Sequence, residues 1–200
     1  MAEFEKVGSF WRQTDAKPFD YGSKYKQNLA HANENSMFRL GILSTYFNTN
    51  DMEKMKVVDF GCGTGDFVRN GSKVFQECVG YDVTGPSITK ERLLTEKWDL
   101  MTAFDVIEHL EDINFIFDIN WNYCYLSFPE TPQVNDWKEL IGWRHLKFNE
   151  HIWNLNSSGM KNLIEDHNCK VEVMGNFEDC IRKRWNPLLP NITSFLIKRI

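Results

Sequence analysis

The chain has 200 residues, enough for one domain with a sizeable core, since a chain of that size buries roughly 70% of its unfolded surface. The formal net charge of −5 argues against a dedicated nucleic-acid binder, which usually carries a basic surplus. No stretch approaches the ~20 apolar residues needed to cross a bilayer. Five cysteines without a Cys-x-x-Cys spacing argue against a disulfide framework or a zinc site. We therefore expect a cytoplasmic protein with reduced cysteines.

The N-terminal part of the chain differs in pattern from the rest. Residues 1–22 contain Gly8, Pro18 and Gly22 and are expected to be irregular, whereas apolar residues at helical spacing predict one or two helices over 23–47. Strands and helices are then expected to alternate. The predicted strands are 56–60, 78–83, 100–104, 123–128, 171–174 and 193–197; the predicted helices are 67–75, 112–119 and about 157–167, the last capped by Ser157 or Ser158.

This alternation implies a mostly parallel sheet covered by helices on both faces. We predict a single α/β domain over residues 1–200, with an N-terminal helical cap at 1–50 and a core at 51–200.

The most informative segment joins the first core strand to the following helix. Gly61, Gly63 and Gly65 lie between Asp59 and the helix, where missing Cβ atoms allow a ligand to approach the backbone. The free N–H groups at such a helix start attract an anion. Asp82 ends the next strand, about twenty residues later, where an acid can accept hydrogen bonds from the ribose hydroxyls of an adenosine-containing ligand.

Two classes of nucleotide cofactor share this arrangement. The nicotinamide fingerprint is Gly-x-Gly-x-x-Gly/Ala, but position 66 is Asp and the third glycine falls one residue early, at Gly65. The Asp-x-Gly-x-Gly-x-Gly pattern instead resembles motif I of the class I S-adenosylmethionine-dependent methyltransferases. The run ending in Ile107-Glu108-His109 resembles the fourth-strand motif of the ubiquinone-biosynthesis-like branch, and residues 143–153 resemble its histidine-bearing segment after strand five.

This resemblance implies a Rossmann-like, mostly parallel sheet with an antiparallel last strand, and S-adenosylmethionine as cofactor. Asp59 would lie near the amino group of the cofactor, Asp82 would hold its ribose, and two strand-end residues would line the floor near the sulfonium. The cofactor-binding residues that the resemblance implies are Asp59, Gly61, Cys62, Gly63, Gly65, Asp82, Val83, Ala103 and Phe104.

One departure from the family pattern concerns its third strand. Only fifteen residues separate Asp82 from Trp98, too few for the usual helix, third strand and loop. We therefore expect the third strand to be missing or reduced. Cofactor binding would then be weaker, or the adenine would be covered differently, by Trp98 or by the N-terminal helices.

The candidate catalytic residues are His151 and His145, which lie in the segment expected to overhang the carboxyl ends of the strands. Either could line the substrate pocket or remove a proton from the acceptor. His109 is expected to form a structural hydrogen bond. No cluster has spacing typical of magnesium or zinc, so no catalytic metal is predicted. The basic run 182–185 is either a solvated loop or a clamp for a phosphate or carboxylate.

Three functions fit these observations unequally. The first is a methyltransferase acting on a small molecule or saccharide-like metabolite, with no membrane partner. The second is a degenerate member of the fold that works as a binding or scaffold protein. A nucleic-acid or protein methyltransferase is disfavoured by the acidic charge and by Phe104-Asp105-Val106-Ile107, which differs from the Asn/Asp-Pro-Pro-Tyr signature of base-amino methyltransferases.

Overall fold

The structure, a computed structural model, describes residues 2–20, 31–85, 88–181 and 191–200. The strands are β1 (Phe4–Val7), β2 (Phe10–Gln13), β3 (Lys56–Phe60), β4 (Glu77–Tyr81), β5 (Trp98–Phe104), β6 (Trp121–Pro129), β7 (Trp153–Asn154), β8 (Cys169–Gly175) and β9 (Ile192–Arg199). The α-helices are α1 (Ala32–Leu43), α2 (Thr49–Met52), α3 (Asp66–Gly71), α4 (Lys90–Thr95), α5 (Phe115–Asp118) and α6 (Ser157–Asp166). Three 3-10 helices cover Ile107–His109, Trp137–Leu140 and Phe177–Cys180.

Six strands form the central sheet, in the order β4-β3-β5-β6-β9-β8. The first four are parallel, and β9 runs antiparallel to both of its neighbours. This confirms the predicted α/β class and the antiparallel last strand. The carboxyl ends of β3, β4, β5 and β6 meet at one edge of the sheet, the edge at which open α/β sheets bind ligands.

The third strand of the family pattern is missing from the described residues. Between β4 and β5 the chain forms α4 without any strand at positions 84, 85 or 88–97. In the described part of the chain, β4 therefore pairs only with β3 and forms an edge of the sheet. The expectation drawn from the short interval after Asp82 is confirmed.

Each face of the sheet is covered by its own apolar cluster. Val57 and Leu100 face one side with residues of α1 and α3, whereas Val58 and Met101 face the other with residues of α4, α5 and α6. Neighbouring strand residues point to opposite faces, so the continuous apolar runs of β3 and β5 supply both clusters. All four of these side chains are fully buried.

The first residues of the chain form a β-hairpin, which corrects the expectation that residues 1–22 are irregular. β1 and β2 pair antiparallel across a turn in which Gly8 has a φ of 57°. β2 also pairs with β7, and the ring of Phe10 packs so closely on Gly159 that a Cβ added there would lie 2.6 Å from it. The hairpin is thereby fixed against the segment that follows β6. The predicted N-terminal helices are represented by α1, and residues 21–30 lie outside the described ones.

Several helices are shorter than predicted. α3 ends at Gly71, where Ser72 lies in the C-cap position and donates its hydroxyl to the Val68 carbonyl. The helix predicted over 112–119 covers only Phe115–Asp118. In both places a polar side chain bonds to nearby backbone, as Asp112 does to the Asn114 amide, and competes with helical hydrogen bonds.

The cap of α6 provides a first testable prediction. Asn156, rather than Ser157 or Ser158, is the N-cap, and its Oδ1 accepts a hydrogen bond of 2.8 Å from the Gly159 amide. Asn156→Ala should lower the free energy of unfolding by about 0.5–2 kcal/mol, the usual cost of losing an N-cap. Ser157→Ala is the matched control and should change it by less than about 0.5 kcal/mol. Urea denaturation that ranks the two variants in the opposite order would contradict the assignment.

Candidate active site

The glycine loop joins β3 to α3 at the carboxyl edge of the sheet. Gly61, Gly63 and Gly65 all have positive φ, at 76°, 52° and 74°. A Cβ at position 61 would also lie 2.3 Å from Val106, whereas one at position 65 would meet open space. Gly61 is therefore required by the packing of the loop, and the backbone at Gly65 is accessible at the start of α3.

Asp82 links this loop to the end of β4. Its Oδ2 accepts a hydrogen bond of 2.9 Å from the Gly63 amide, and its Oδ1 accepts bonds from the Thr84 amide at 2.8 Å and hydroxyl at 2.6 Å. The carboxylate thus lies directly beside the loop, at the position predicted for a ribose ligand. The next side chain, Val83, is 79% exposed.

Asp59 lies beneath the loop and is 3% exposed. Its Oδ1 accepts a hydrogen bond of 2.7 Å from the Thr102 hydroxyl on the neighbouring strand. Burial raises the pKa of Asp59 to about 7, although the Thr102 bond and the charge of Arg39 lower it and the charge of Asp82 raises it further. Burial, followed by the charges of Asp59 and Asp82, also raises the pKa of Cys62 to about 12, so this residue stays a thiol.

Ala103 and Phe104, the predicted floor of the site, end β5. Ala103 is fully buried, and Phe104 is covered by the guanidinium of Arg39, which lies 4.0 Å from its ring centroid. Arg39 also binds the buried carboxylate of Glu178 at 2.8 Å and approaches Asp105 at 3.4 Å. Glu178 is fully buried, and breaking a buried ion pair by removing one partner, as Arg39→Ala would, is costly.

His109, in the 3-10 helix that follows β5, contacts His151 from the segment before β7. The rings of His109 and His151 are in edge contact, with centroids 4.8 Å apart, and the Glu108 carboxylate lies 3.8 Å from His109 Nε2. His109 Nδ1 donates to the Glu150 carbonyl at 2.6 Å, as expected for a structural hydrogen bond. Burial, with the charges of His109 and Lys147, lowers the pKa of His151 to about 3. His151 is therefore a neutral lone-pair donor at physiological pH.

His145 occupies the same loop but a different environment. Its Nε2 lies 3.2 Å from Asn191 Oδ1, just before β9 begins. Because β9 is antiparallel to β6, its beginning lies at the edge where β6 ends. The segment that carries both histidines therefore lies along the carboxyl edge of the sheet. Burial also lowers the pKa of His145.

Trp98 cannot cover an adenine ring, because it is fully buried and its Nε1 donates to the Leu93 carbonyl. The basic run 182–185 lies outside the described residues. Sequence reasoning missed Arg39 and Glu178, whose pairing joins α1 to the 3-10 helix before β9.

Comparison with known proteins agrees with this architecture. A family model described as "Methyltransferase domain" matches residues 30–173. A methyltransferase from Aquifex aeolicus shares 12% identity, with 92% of this chain and 100% of that chain covered and a TM-score of 0.62. Magnesium protoporphyrin IX methyltransferase from Synechocystis, solved with bound S-adenosylhomocysteine, shares 13% identity over 92% of this chain and 90% of that chain, with a TM-score of 0.57. A search of curated proteins finds no match.

The sheet order and the glycine loop define a Rossmann-like class I methyltransferase fold. The chain belongs to the methyltransferase domain family, because that model matches more than half of its length. The prediction of an S-adenosylmethionine-dependent methyltransferase is confirmed at this level. Within the described part of the chain, no helix is both long and apolar enough to span a bilayer.

Proposed function

We propose that this enzyme transfers the methyl group of S-adenosylmethionine to a small molecule or saccharide-like metabolite bound over the carboxyl ends of the strands. The observation that carries the proposal is the convergence of Asp59, the glycine loop and Asp82 at one edge of the sheet. Asp82 reaches the Gly63 amide at 2.9 Å, so the acid and the loop form one surface.

The residues present fit this cofactor. The Asp82 carboxylate would hold the ribose hydroxyls, the backbone at Gly63 and Gly65 would approach the methionine part, and Asp59 would lie near its amino group. At Gly65 the accessible backbone has space for a ligand, because no atom lies within 4 Å of the position a Cβ would take. When bound, the cofactor supplies a methyl group already activated on a sulfonium.

The protein then has to position the acceptor and exclude water. Transfer to an activated methyl group depends mainly on holding the nucleophile in line. The loop with His145 and His151 would form the acceptor side of the site. His151 would remove a proton from the acceptor or hold an ion that activates it. The net charge of −5 favours a small molecule over a nucleic acid. One structural neighbour is itself described as a magnesium protoporphyrin IX methyltransferase.

The role of Asp82 can be tested by cofactor binding. Asp82→Ala should weaken S-adenosylmethionine binding by about 1.5–3 kcal/mol, the usual worth of hydrogen bonds to a charged group. Thr84→Ala is the control, because it removes one hydrogen bond to the same carboxylate but keeps the charge, and its effect should be smaller. Calorimetry that finds wild-type affinity in Asp82→Ala would reject the assignment. Screening metabolites for release of S-adenosylhomocysteine would then identify the acceptor.

A further inference from the structure

We propose that Glu108, His109 and His151 form a binding site for a divalent transition-metal ion such as Zn²⁺. Each offers one ligand atom, and the three atoms lie within 4.8 Å of one another. Two imidazoles and one carboxylate are a known ligand set for catalytic zinc. At bond lengths of about 2.0–2.2 Å, tetrahedral ligand atoms lie roughly 3.4 Å apart. Small side-chain rotations that move the three ligand atoms by about an ångström would therefore bring them to metal-binding distances.

The orientation of the two imidazoles supports this assignment. His109 Nδ1 donates to a carbonyl oxygen of Glu150, which only accepts, so the lone pair is on Nε2 and faces Glu108. Metal-binding histidines almost always donate their second N–H group to a carbonyl or carboxylate, as His109 does here. The ring of His151 is in edge contact with that of His109, with centroids 4.8 Å apart and an interplanar angle of 78°.

Burial and charge around the cluster are also suited to a cation. Glu108 and His151 are 2% and 5% exposed, whereas the side chain of His109 is 19% exposed, so the cluster is largely buried and is open to solvent at His109. Asp105, two residues before the 3-10 helix, is close enough for its charge to act on both imidazoles and raise their pKa. The nearby cation of Lys147 is bonded to Glu150 at 2.8 Å, which offsets its repulsion.

The ligand types indicate the class of metal, and the position of the cluster in the fold indicates its role. Imidazole nitrogens favour zinc, cobalt, nickel or iron over magnesium or calcium. Three protein ligands leave a coordination position for water or an acceptor oxygen, as in catalytic rather than structural zinc sites. The site follows β5 at the carboxyl edge, so a role in activating the acceptor rests on the proposed function. The sequence analysis predicted no catalytic metal because it found no ligands at a spacing typical of zinc. Glu108 and His151 are far apart in sequence, so no such spacing could reveal this cluster.

Metal titration of the chelator-treated full chain tests the site without cofactor or substrate. Calorimetry with Zn²⁺ and visible absorption with Co²⁺ should both show one ion per chain. Glu108→Gln and His151→Ala should each weaken binding by at least the roughly 10–100-fold that loss of a supporting partner costs. His31→Ala is the control, since His31 is exposed, and should bind as wild type does. Circular dichroism establishes that each variant is folded, and His109→Gln provides a third ligand variant if one does not fold.

Three outcomes would overturn the inference. The first is the absence of Zn²⁺ and Co²⁺ binding by the wild type, and the second is equal binding by the folded ligand variants. The third is thiolate-to-cobalt charge transfer, which would assign the bound ion to cysteine instead. Binding of S-adenosylmethionine to the metal-free chain is measured separately. Zinc binding without cofactor binding would reject the proposed function and leave the metal site standing, and the reverse result would do the opposite.

Discussion

The wild-type protein should lose stability relative to Asp59→Asn as the pH rises from about 4 to about 7. Burial raises the pKa of Asp59 from 3.8 to about 7 in the folded state. Within this window the folded protein holds a proton that the unfolded chain releases, so raising the pH favours unfolding. The free energy of unfolding of the wild type minus that of Asp59→Asn should therefore fall by up to about 1.4 kcal/mol per pH unit. The asparagine cannot ionise and keeps an oxygen to accept the Thr102 hydrogen bond.

The comparison between the two proteins is necessary because other groups titrate in the same range. His151 has a lowered pKa, so its contribution to stability is lost as the pH falls, which is the opposite direction. Subtracting the free energy of unfolding of Asp59→Asn from that of the wild type at each pH cancels the contribution of His151, because both proteins contain it. Thr102→Val is a second test: it removes a bond that lowers the pKa of Asp59, so the window should extend to higher pH. A pH-independent difference between wild type and Asp59→Asn would show that the carboxyl titrates normally.

The sheet could be predicted from sequence because its signals are local. The apolar runs of β3 and β5 and the glycines after β3 determine strand, loop and helix within a few residues of each other. The absence of the third strand from the described residues was predictable from length alone. The N-terminal hairpin also had a local signal, since Gly8 and the following serine are typical of a two-residue hairpin turn. Charged residues on its exposed strand β1, with only Phe4 partly buried, concealed the pattern.

The candidate site was predictable only where one short motif carries it. Asp82 and the glycine loop meet because neighbouring parallel strands end at the same edge. The pairing of Arg39 with Glu178 and the contact between His109 and His151 depend on loops that close over long intervals of sequence. Such closure is set by the packing of the whole fold, for instance by the Trp153 indole, which donates to the Leu110 carbonyl. No spacing rule applies to residues brought together in this way.

The two candidate histidines differ in ways that separate their expected effects on turnover. His151 is 5% exposed and touches His109 beside Glu108, at the end of β5. His145 is bonded to Asn191 and is not part of that cluster. We therefore expect His151 to matter more in the chemical step, whether its lone pair takes the acceptor proton directly or holds an ion that activates the acceptor.

Once an acceptor is known, His151→Ala should lower kcat by about 10²–10⁴-fold, the usual worth of a general base. The affinity for S-adenosylmethionine should remain almost unchanged, because the imidazole acts only in the chemical step. His145→Ala should have a smaller effect, and His31→Ala should have none. If His151 is a metal ligand, the remaining ligands still bind the ion, but more weakly, so Zn²⁺ in excess should restore part of the turnover of His151→Ala. If His151 is a direct base, added Zn²⁺ should restore none of it. Losses below about tenfold in both single variants would exclude either role and would favour a nitrogen or carbon acceptor, or catalysis by positioning alone.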